Sequence, residues 1–363
     1  MRKSSKIIWI DICHIPQFNF YLALIRQLVA KGNVVYLTII NRGRLVKICQ
    51  NDLSSLGLLA SSSNDFGNVT MDVIGQHRMN RWSAIFEANI FRIPLIIFWR
   101  LTHHIDVSLS NGFHAALACW FTHTPAYCFG DDPQTNDYYP RIWFARKSHY
   151  TIFELPRGMD INRNIKILQC TKEWAYLAPN VFIPNHQVLD KYGVQPKEYI
   201  FLREVSVGTI NYASQAPQAI LAVKDLIAKT GMKVLFSLEE KHRRNEYPED
   251  WILLQEPIED IHSLIYYAAG LVSSGDSMAR EAALLGIPAY YLGTRHSMPA
   301  NLAAAKVAHL QNELTMPFEE WLGELTGKDI TERMKAQEEL RKKIDEEFID
   351  INAYMMSLVE GIK

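Results

Sequence analysis

The stretch Leu271-Val-Ser-Ser-Gly-Asp-Ser-Met-Ala-Arg-Glu-Ala-Ala-Leu-Leu-Gly-Ile-Pro288 decides the fold of the C-terminal half. Its apolar start predicts a buried strand, the small residues after it a tight loop, and the Ala- and Leu-rich run a helix. Gly286 and Pro288 are typical helix stop signals. A strand, a small-residue loop and a helix in this order are typical of a parallel α/β sheet.

The same alternation of strand and helix extends over most of the chain in two series. The first predicts strands at Ile7–Ile12, Val34–Ile40, Val69–Ile74, Val107–Leu109 and Ala126–Phe129, with helices between them. The second predicts strands at Tyr199–Leu202, Lys233–Leu238, Ile252–Leu254, Leu271–Ser273 and Ala289–Leu292. Strands that alternate with helices indicate βαβ units. We therefore predict an α/β fold of two doubly wound Rossmann-like domains that face each other across a cleft, with ligands at the carboxyl ends of the strands.

The predicted domain boundaries follow from the less regular, proline-containing stretch in the middle of the chain. They are an N-terminal domain at 1–165, a linker at 166–198, a C-terminal domain at 199–330 and a C-terminal helix at 331–363.

Composition excludes several classes of protein. The 363 residues carry a net charge of −1, from 38 basic and 39 acidic side chains. Nothing in this balance favours nucleic acid as a partner. The five cysteines contain no Cys-x-x-Cys pair, which argues against a zinc site or disulfide framework and favours a reducing cytoplasm. No apolar run approaches the roughly 20 residues of a membrane span.

The loop after Ser273 has the chemistry of an anion site. Ser273, Ser274, Gly275, Asp276, Ser277 and Met278 lead into a helix, where exposed N–H groups and the helix dipole suit a diphosphate. Glu281, one turn later, can accept hydrogen bonds from a ribose diol. The alternative is an ordinary βα turn capped by Ser277 or Asp276. Arg203, at a strand end, suits a diphosphate by charge and geometry, or forms a salt bridge instead.

The segment Ser274-Gly-Asp-Ser-Met-Ala-Arg-Glu-Ala-Ala-Leu-Leu-Gly-Ile-Pro288 resembles the C-terminal sugar-nucleotide motif of GT-B proteins. It is most similar to a family of unknown function related to UDP-N-acetylglucosamine 2-epimerases and MurG-type glycosyltransferases. Shorter segments resemble the same family in order: Ile8–Ile12, Cys170–Leu177, Tyr199–Arg203 and Asn211–Ala213. The resemblance implies a GT-B fold and a nucleoside diphosphate sugar, UDP-linked, as substrate, without a further cofactor.

Two departures from the family pattern bear on mechanism. Gly275-Asp276-Ser277 stands where the family usually has Gly-Gly-Thr, so that a carboxylate falls beside the expected diphosphate. Arg203-Glu204-Val205 stands where the epimerases carry a histidine motif. His242-Arg243-Arg244-Asn245 looks similar but follows a different strand, and the epimerase histidine is not transferred to it.

Candidate catalytic residues follow strands of the N-terminal half. Asp11, His14, Asp131 and Asp132 are candidates for the base that deprotonates an acceptor hydroxyl, and His77 for an acid/base or phosphate-binding group. The alternatives are a turn cap for Asp11, packing against the next helix for His14 and a surface loop for His77. The acidic pair lacks the spacing of a DxD metal motif, and no metal site is predicted.

An apolar, aromatic segment with basic edges spans Phe91–Leu101. Such a helix suits a peripheral contact with a lipid surface, where a lipid-linked acceptor resides, or packing on the N-terminal sheet. Together with the family resemblance, the sequence favours a cytoplasmic, metal-independent glycosyltransferase that acts on a glycan or lipid-linked acceptor at the inner face of the membrane. The resemblance implies a role in the synthesis of bacterial surface or capsular polysaccharide. The alternatives are a UDP-sugar 2-epimerase and a non-catalytic nucleotide-sugar-binding protein.

Overall fold

The computed structural model describes residues 5–59, 68–78, 83, 86–133, 138–159, 163–207, 218–255, 258, 260–327 and 329–362. By packing, the chain forms two compact units. The first contains Met1–Tyr176 together with Ile349–Lys363, and the second contains Leu177–Phe348.

The first unit is built on a parallel sheet of seven strands in the described part of the chain. They are β1 (Ile7–Ile12), β2 (Val34–Asn41), β3 (Val69–Gln76), β4 (Val107–Ser110), β5 (Ala126–Gly130), β6 (Lys147–Thr151) and β7 (Ile165–Leu168). Their order is β3-β2-β1-β4-β5-β6-β7. The order reverses direction between β1 and β4, and such a switch point opens a crevice at the carboxyl ends of the strands.

Helices cover both faces of this sheet, which is why its central strands β1, β4 and β5 are buried almost throughout. They are α1 (Ile15–Ala30), α2 (Leu45–Ser55), a π-helical segment Glu87–Arg92 that continues into α3 (Ile93–Thr102), α4 (His114–Phe121) and α5 (Tyr138–Phe144). Trp9 of β1 packs with Ile96 and Trp99 of α3 and with the alanines of α4. Pro94 lies in the first turn of α3, where the π-helical segment changes to an α-helix.

The second unit has its own parallel sheet, with six strands among the described residues. They are β8 (Tyr199–Glu204), β9 (Lys233–Leu238), β10 (Ile252–Leu253), β11 (Gly270–Ser273), β12 (Ala289–Tyr291) and β13 (Gln311–Asn312), in the order β10-β9-β8-β11-β12-β13. The short helix α6 (Trp174–Leu177) ends the first unit, with Leu177 as the first residue of the second. The helices of the second unit include α7 (Ala219–Ala228), α8 (Ile261–Tyr267), α9 (Asp276–Leu284), α10 (Pro299–Ala308) and α11 (Phe318–Gly327). Two 3₁₀ segments lie among the described residues of this unit, His186–Tyr192 and Lys241–Glu246. Here the switch point lies between β8 and β11.

Two stretches differ from the predicted boundaries. The stretch 166–198, predicted as linker, begins inside β7, which pairs with β6 at the edge of the first sheet. The C-terminal stretch 331–363, predicted as one helix, forms two: α12 (Ile330–Glu347) and α13 (Ile351–Glu360). The chain turns at Phe348, where the backbone is extended, and Asp350 caps α13 through the Ala353 amide. As a result, α12 belongs to the second unit and α13 to the first.

Candidate functional site

The predicted phosphate loop lies at the switch point of the second sheet. Ser273, the last residue of β11, pairs in register with Arg203 of β8 on one side and with Tyr291 of β12 on the other. Residues 273–277 therefore leave the sheet at its carboxyl edge, and α9 begins at Asp276. This is the place at which open α/β sheets bind ligands.

The serine hydroxyls of the loop hold its backbone in shape. The Ser273 hydroxyl accepts a hydrogen bond from the Gly275 amide at 2.9 Å and donates to the Gly275 carbonyl at 2.7 Å. The Ser274 hydroxyl accepts from the Val205 amide at 2.9 Å and so ties the loop to the end of β8. Both serines are fully buried. They are accordingly positioning residues of the loop.

Asp276 is surrounded by positive charge, which accounts for a carboxylate in this motif. One carboxylate oxygen accepts from the Ser277 amide at 2.9 Å. The other lies 2.9 Å from Nη1 of Arg295 and 3.4 Å from Nη1 of Arg280. Arg280 is itself fully buried and donates to Asn301 at 2.6 Å. Two guanidinium groups thus compensate the one carboxylate at the start of α9, and the N-cap position is taken by Gly275.

Glu281 lies one turn further along α9 and is only 7% exposed. Its Oε1 is 3.6 Å from Nε2 of His262, the second residue of α8. The pair joins two helices that follow different strands, and sequence reasoning missed the histidine. The feature of the sequence that could have indicated His262 is its position at the start of a predicted helix in the same half of the chain.

Arg203 is held by side chains at the end of the neighbouring strand. Its Nη1 donates to the Ser237 hydroxyl at 2.7 Å, and its Nη2 forms an ion pair with Glu239. Arg203 therefore forms a salt bridge, the alternative to phosphate binding that the sequence left open, and its partner Glu239 follows β9. The backbone of Arg203 lies at the switch point, paired in register with Ser273, whereas its guanidinium turns towards β9.

Glu204, which sequence reasoning passed over, is a buried acid at the same edge. Its carboxylate accepts from the Ile220 amide at 2.7 Å and from the Tyr247 hydroxyl at 3.3 Å. Burial raises the pKa of Glu204 above its ordinary value. It lines a small pocket with Val205, Gln218, Glu240 and Arg243.

The first unit gathers a second set of polar residues at the carboxyl edge of its sheet. His14 follows β1, Arg42 follows β2, His77 follows β3 and Asp131 follows β5. The Nε2 of His14 is 2.9 Å from Nη1 of Arg42. A guanidinium can only donate, so Nε2 accepts and His14 is neutral.

The environment keeps His14 in this neutral form. Burial is the largest effect, and the charges of Arg42, Lys172 and His77 add to it, lowering the pKa of His14 to about 3. Asp131 acts in the opposite direction and is paired with Lys172, its Oδ2 lying 2.5 Å from Nζ. Burial and Arg42 lower the pKa of His77 as well.

The edge therefore brings together three predicted residues, His14, His77 and Asp131. It adds Arg42 and Lys172, which the sequence analysis did not select. Asp132 is half-buried next to Asp131.

Asp11 occupies a different environment, inside the sheet. It is 1% exposed and forms an ion pair with the equally buried Arg92, with Oδ1 2.5 Å from Nη2 and Oδ2 3.2 Å from Nη1. Thr38 donates to Oδ1 at 2.7 Å and itself accepts from the Trp9 indole. Asp11 is thus engaged in a hydrogen-bonded buried pair, rather than in the turn cap considered from the sequence.

Two findings concern metals and membranes. Among the described residues, no three His, Cys, Asp or Glu side chains are grouped so as to hold a metal ion. In the same part of the chain, none of the helices has both the length and the apolar character needed to cross a bilayer.

No family model and no curated protein matches this chain. Solved structures do match along nearly its whole length. The UDP-GlcNAc 2-epimerase from Methanocaldococcus jannaschii has a TM-score of 0.61 at 14% identity and covers 98% of this chain and 100% of its own. The UDP-GlcNAc 2-epimerase from Neisseria meningitidis bound to UDP-GlcNAc has a TM-score of 0.59 at 12% identity, covering 98% and 100%.

A glycosyltransferase is equally similar. The spinosyn rhamnosyltransferase SpnG complexed with thymidine diphosphate has a TM-score of 0.61 at 12% identity, covering 97% of this chain and 99% of its own. At such low identity these similarities establish the fold alone. They confirm the predicted α/β architecture of GT-B type and the predicted likeness to both epimerases and glycosyltransferases.

Proposed function

We propose that this protein is a GT-B-type glycosyltransferase. It would transfer a sugar from a nucleoside diphosphate sugar, UDP-linked, to a glycan or lipid-linked acceptor in the synthesis of surface or capsular polysaccharide, at the cytoplasmic face of the membrane. The observation that carries the proposal is the loop 273–277, which leaves the second sheet at its switch point and leads directly into α9.

The donor side of the proposed reaction uses the second unit. The N–H groups at the start of α9 would face the diphosphate, where the helix dipole favours negative charge. The carboxylate of Asp276 does not oppose this, since Arg280 and Arg295 compensate it. Glu281 would accept hydrogen bonds from the ribose diol, and its approach to His262 holds it in place. Two structural neighbours carry such ligands, UDP-GlcNAc and thymidine diphosphate.

The acceptor side uses the carboxyl edge of the first sheet. As the bond between the anomeric carbon and the phosphate oxygen breaks, the acceptor oxygen bonds to that carbon and its proton passes to a base. Asp131, Asp132, His14 and His77 are the proposed candidates for this base and for acceptor binding. The departing nucleoside diphosphate takes the negative charge, which the start of α9 would stabilise.

A UDP-sugar 2-epimerase is the second candidate, favoured by the whole-length similarity to the two epimerase structures. Incubating the purified protein with labelled nucleotide sugars separates the two activities. Conversion to an epimer without an acceptor supports the isomerase. Release of nucleoside diphosphate that requires an acceptor supports the transferase. Binding without either reaction supports a non-catalytic protein.

The donor site has its own test, by calorimetry with UDP and with the UDP-sugars. Glu281→Gln is expected to weaken nucleotide binding about tenfold or more, because a hydrogen bond to a charged group contributes roughly 1.5–3 kcal/mol. Glu320→Gln, an exposed carboxylate of α11 in the same unit, is the matched control and should bind as the unmodified protein does. Equal affinities for both variants would remove Glu281 from the site.

A further inference from the structure

Arg42 directly follows β2, at the carboxyl edge of the first sheet. It is half-buried, and its Nη1 donates to Nε2 of His14 at 2.9 Å. Because His14 is neutral in this contact, it gives the guanidinium a hydrogen-bond acceptor but no counter-charge. Among the residues that the structure describes, no carboxylate pairs with Arg42, and this includes Asp131 and Asp132 at the same edge.

The buried Arg92 of the same unit has the counter-charge that Arg42 lacks. Burial lowers the pKa of Arg92, but Asp11 and the Cys13 thiol raise it, and the pKa lies above its ordinary value. Burial also lowers the pKa of Arg42, where the opposing effect comes from the Cys13 thiol, and the pKa stays below its ordinary value. A thiol is largely uncharged at neutral pH and does not compensate a cation. A buried charge without a partner is unfavourable, so Arg42 differs from Arg92 in a way that calls for an anion from outside the chain.

The neighbouring polar groups leave the charge of Arg42 in place. Lys172 and Asp131 both act on His14, but they form an ion pair with each other and cancel. Burial and the charge of Arg42 lower the pKa of His77 from its ordinary value, so this side chain is neutral at pH 7. Of the groups that act on His14, Arg42 therefore carries the remaining positive charge.

The guanidinium of Arg42 also has donors to offer. Its contact with His14 uses Nη1, and its other N–H groups have no hydrogen-bond partner in the described part of the chain. A guanidinium is planar and binds carboxylate or phosphate through pairs of N–H groups. His14 follows β1, which borders the switch point of the first sheet, and open α/β sheets bind ligands at such a point. Position, charge and free donors together match an anionic ligand.

We propose that Arg42 binds an oxyanion, a carboxylate or a phosphate, on the sugar acceptor, so that this protein acts on acidic acceptors. The assignment of the ligand to the acceptor rests on the proposed transferase function, in which the first unit holds the acceptor. A neutral acceptor would leave the guanidinium without a partner, and a site of this kind discriminates against a ligand that lacks the matching group. UDP is the competing anion, and its proposed site is in the second unit, so the test includes it.

Titrations followed by saturation-transfer NMR, in the absence of nucleotide, test the proposal with three small sugars. Methyl β-D-glucuronide carries a carboxylate, glucose 6-phosphate carries a phosphate, and methyl β-D-glucoside is neutral. The unmodified protein should bind at least one of the anionic sugars at least roughly tenfold more tightly than the glucoside, because a hydrogen bond between charged groups is among the stronger ones. The anionic sugar that is preferred distinguishes a carboxylate from a phosphate on the acceptor.

Three variants locate the preference. Arg42→Gln should bind the preferred anionic sugar at least roughly tenfold more weakly and the glucoside as before, since it removes the charge. Arg42→Lys keeps the charge without the planar donors and should retain part of the preference. Arg26→Gln removes an exposed arginine of α1 and is the matched control, which should bind all three sugars as the unmodified protein does.

Circular dichroism and calorimetry with UDP verify that each variant is folded, and UDP affinity should stay near normal. If Arg42→Gln does not fold, the salt dependence of the unmodified protein replaces it: from about 0.05 to 0.5 M sodium chloride, affinity should fall for the anionic sugar and stay constant for the glucoside.

Four results would overturn the proposal. They are the absence of any preference for an anionic sugar, a preference that Arg42→Gln retains, an equal loss in Arg26→Gln, and a loss of UDP affinity in Arg42→Gln, which would assign the cation to the nucleotide. Since no donor is present in the titrations, their failure leaves the proposed transferase activity standing. An anionic preference without any transfer of sugar would leave the anion site standing and remove the transferase.

Discussion

Replacing Arg92 by methionine is expected to destabilise the first unit by about 3–5 kcal/mol, because it leaves the carboxylate of Asp11 buried without its counter-charge. Both side chains are 1% exposed, and the guanidinium makes two contacts to the carboxylate, at 2.5 and 3.2 Å. Its Nε also donates to the Ile74 carbonyl at 3.1 Å. Water cannot replace these contacts at a site without solvent access.

The double variant Asp11→Asn/Arg92→Met separates the charge effect from lost packing. Methionine preserves most of the length of the arginine side chain, and asparagine still accepts a hydrogen bond from Thr38. Removal of both charges should therefore cost less than Arg92→Met alone, since a neutral pair has no uncompensated charge to bury. Lys31→Met is the control, because its ion pair with Glu360 is exposed and should contribute at most about 1 kcal/mol.

Urea unfolding followed by circular dichroism measures these differences, with turnover measured on the folded variants. A loss below about 1 kcal/mol in Arg92→Met would refute the reasoning about the buried pair, since it would equal the value of an exposed one. An Asp11→Asn variant that keeps its stability but loses turnover would instead return Asp11 to the catalytic candidates.

Three further predictions concern pH, metal and the acceptor side. His149 is fully buried, and burial lowers its pKa to about 4, below the value near 6.5 expected in the unfolded chain. The stability contributed by His149 is therefore complete above about pH 6.5 and is lost as the pH falls towards 4. In His149→Gln, the free energy of unfolding should decrease less over this pH range than in the unmodified protein, by up to about 3 kcal/mol. Turnover should survive EDTA, and a loss that magnesium or manganese restores would contradict metal independence and make Asp131 and Asp132 candidate ligands. At least one of His14→Ala, His77→Ala, Asp131→Asn and Asp132→Asn should lower kcat by about 10²–10⁴-fold with near-normal UDP affinity, whereas four fully active variants would place the base elsewhere.

The sequence predicted those strands in which nearly every position favours a buried apolar side chain. Ile7–Ile12 and Tyr199–Leu202 are covered by helices on both faces of their sheets, so they are apolar, except for Asp11, and recognisable as strands. β6, with the sequence Lys-Ser-His-Tyr-Thr, was missed because its buried residues are polar. The His149 ring lies within hydrogen-bonding distance of the Cys128 carbonyl and the Tyr354 hydroxyl, and Thr151 donates to the Gly130 carbonyl. Such partners are invisible to a hydrophobic pattern.

The sequence by itself also located the candidate sites, because residues that follow parallel strands must lie at one edge of a sheet. It predicted that loop 273–277 leads into a helix, and that Asp11, His14, Asp131 and Asp132 follow strands at one edge, although Asp11 lies within β1. Only the tertiary structure decided what each charge faces: Arg92 on Asp11, Arg295 on Asp276, and Arg42 on His14. These partners are 19 to 81 residues apart and come from different elements. Which cation lies beside a carboxylate depends on strand order and on helix packing, and neither is encoded in the local pattern around the residue.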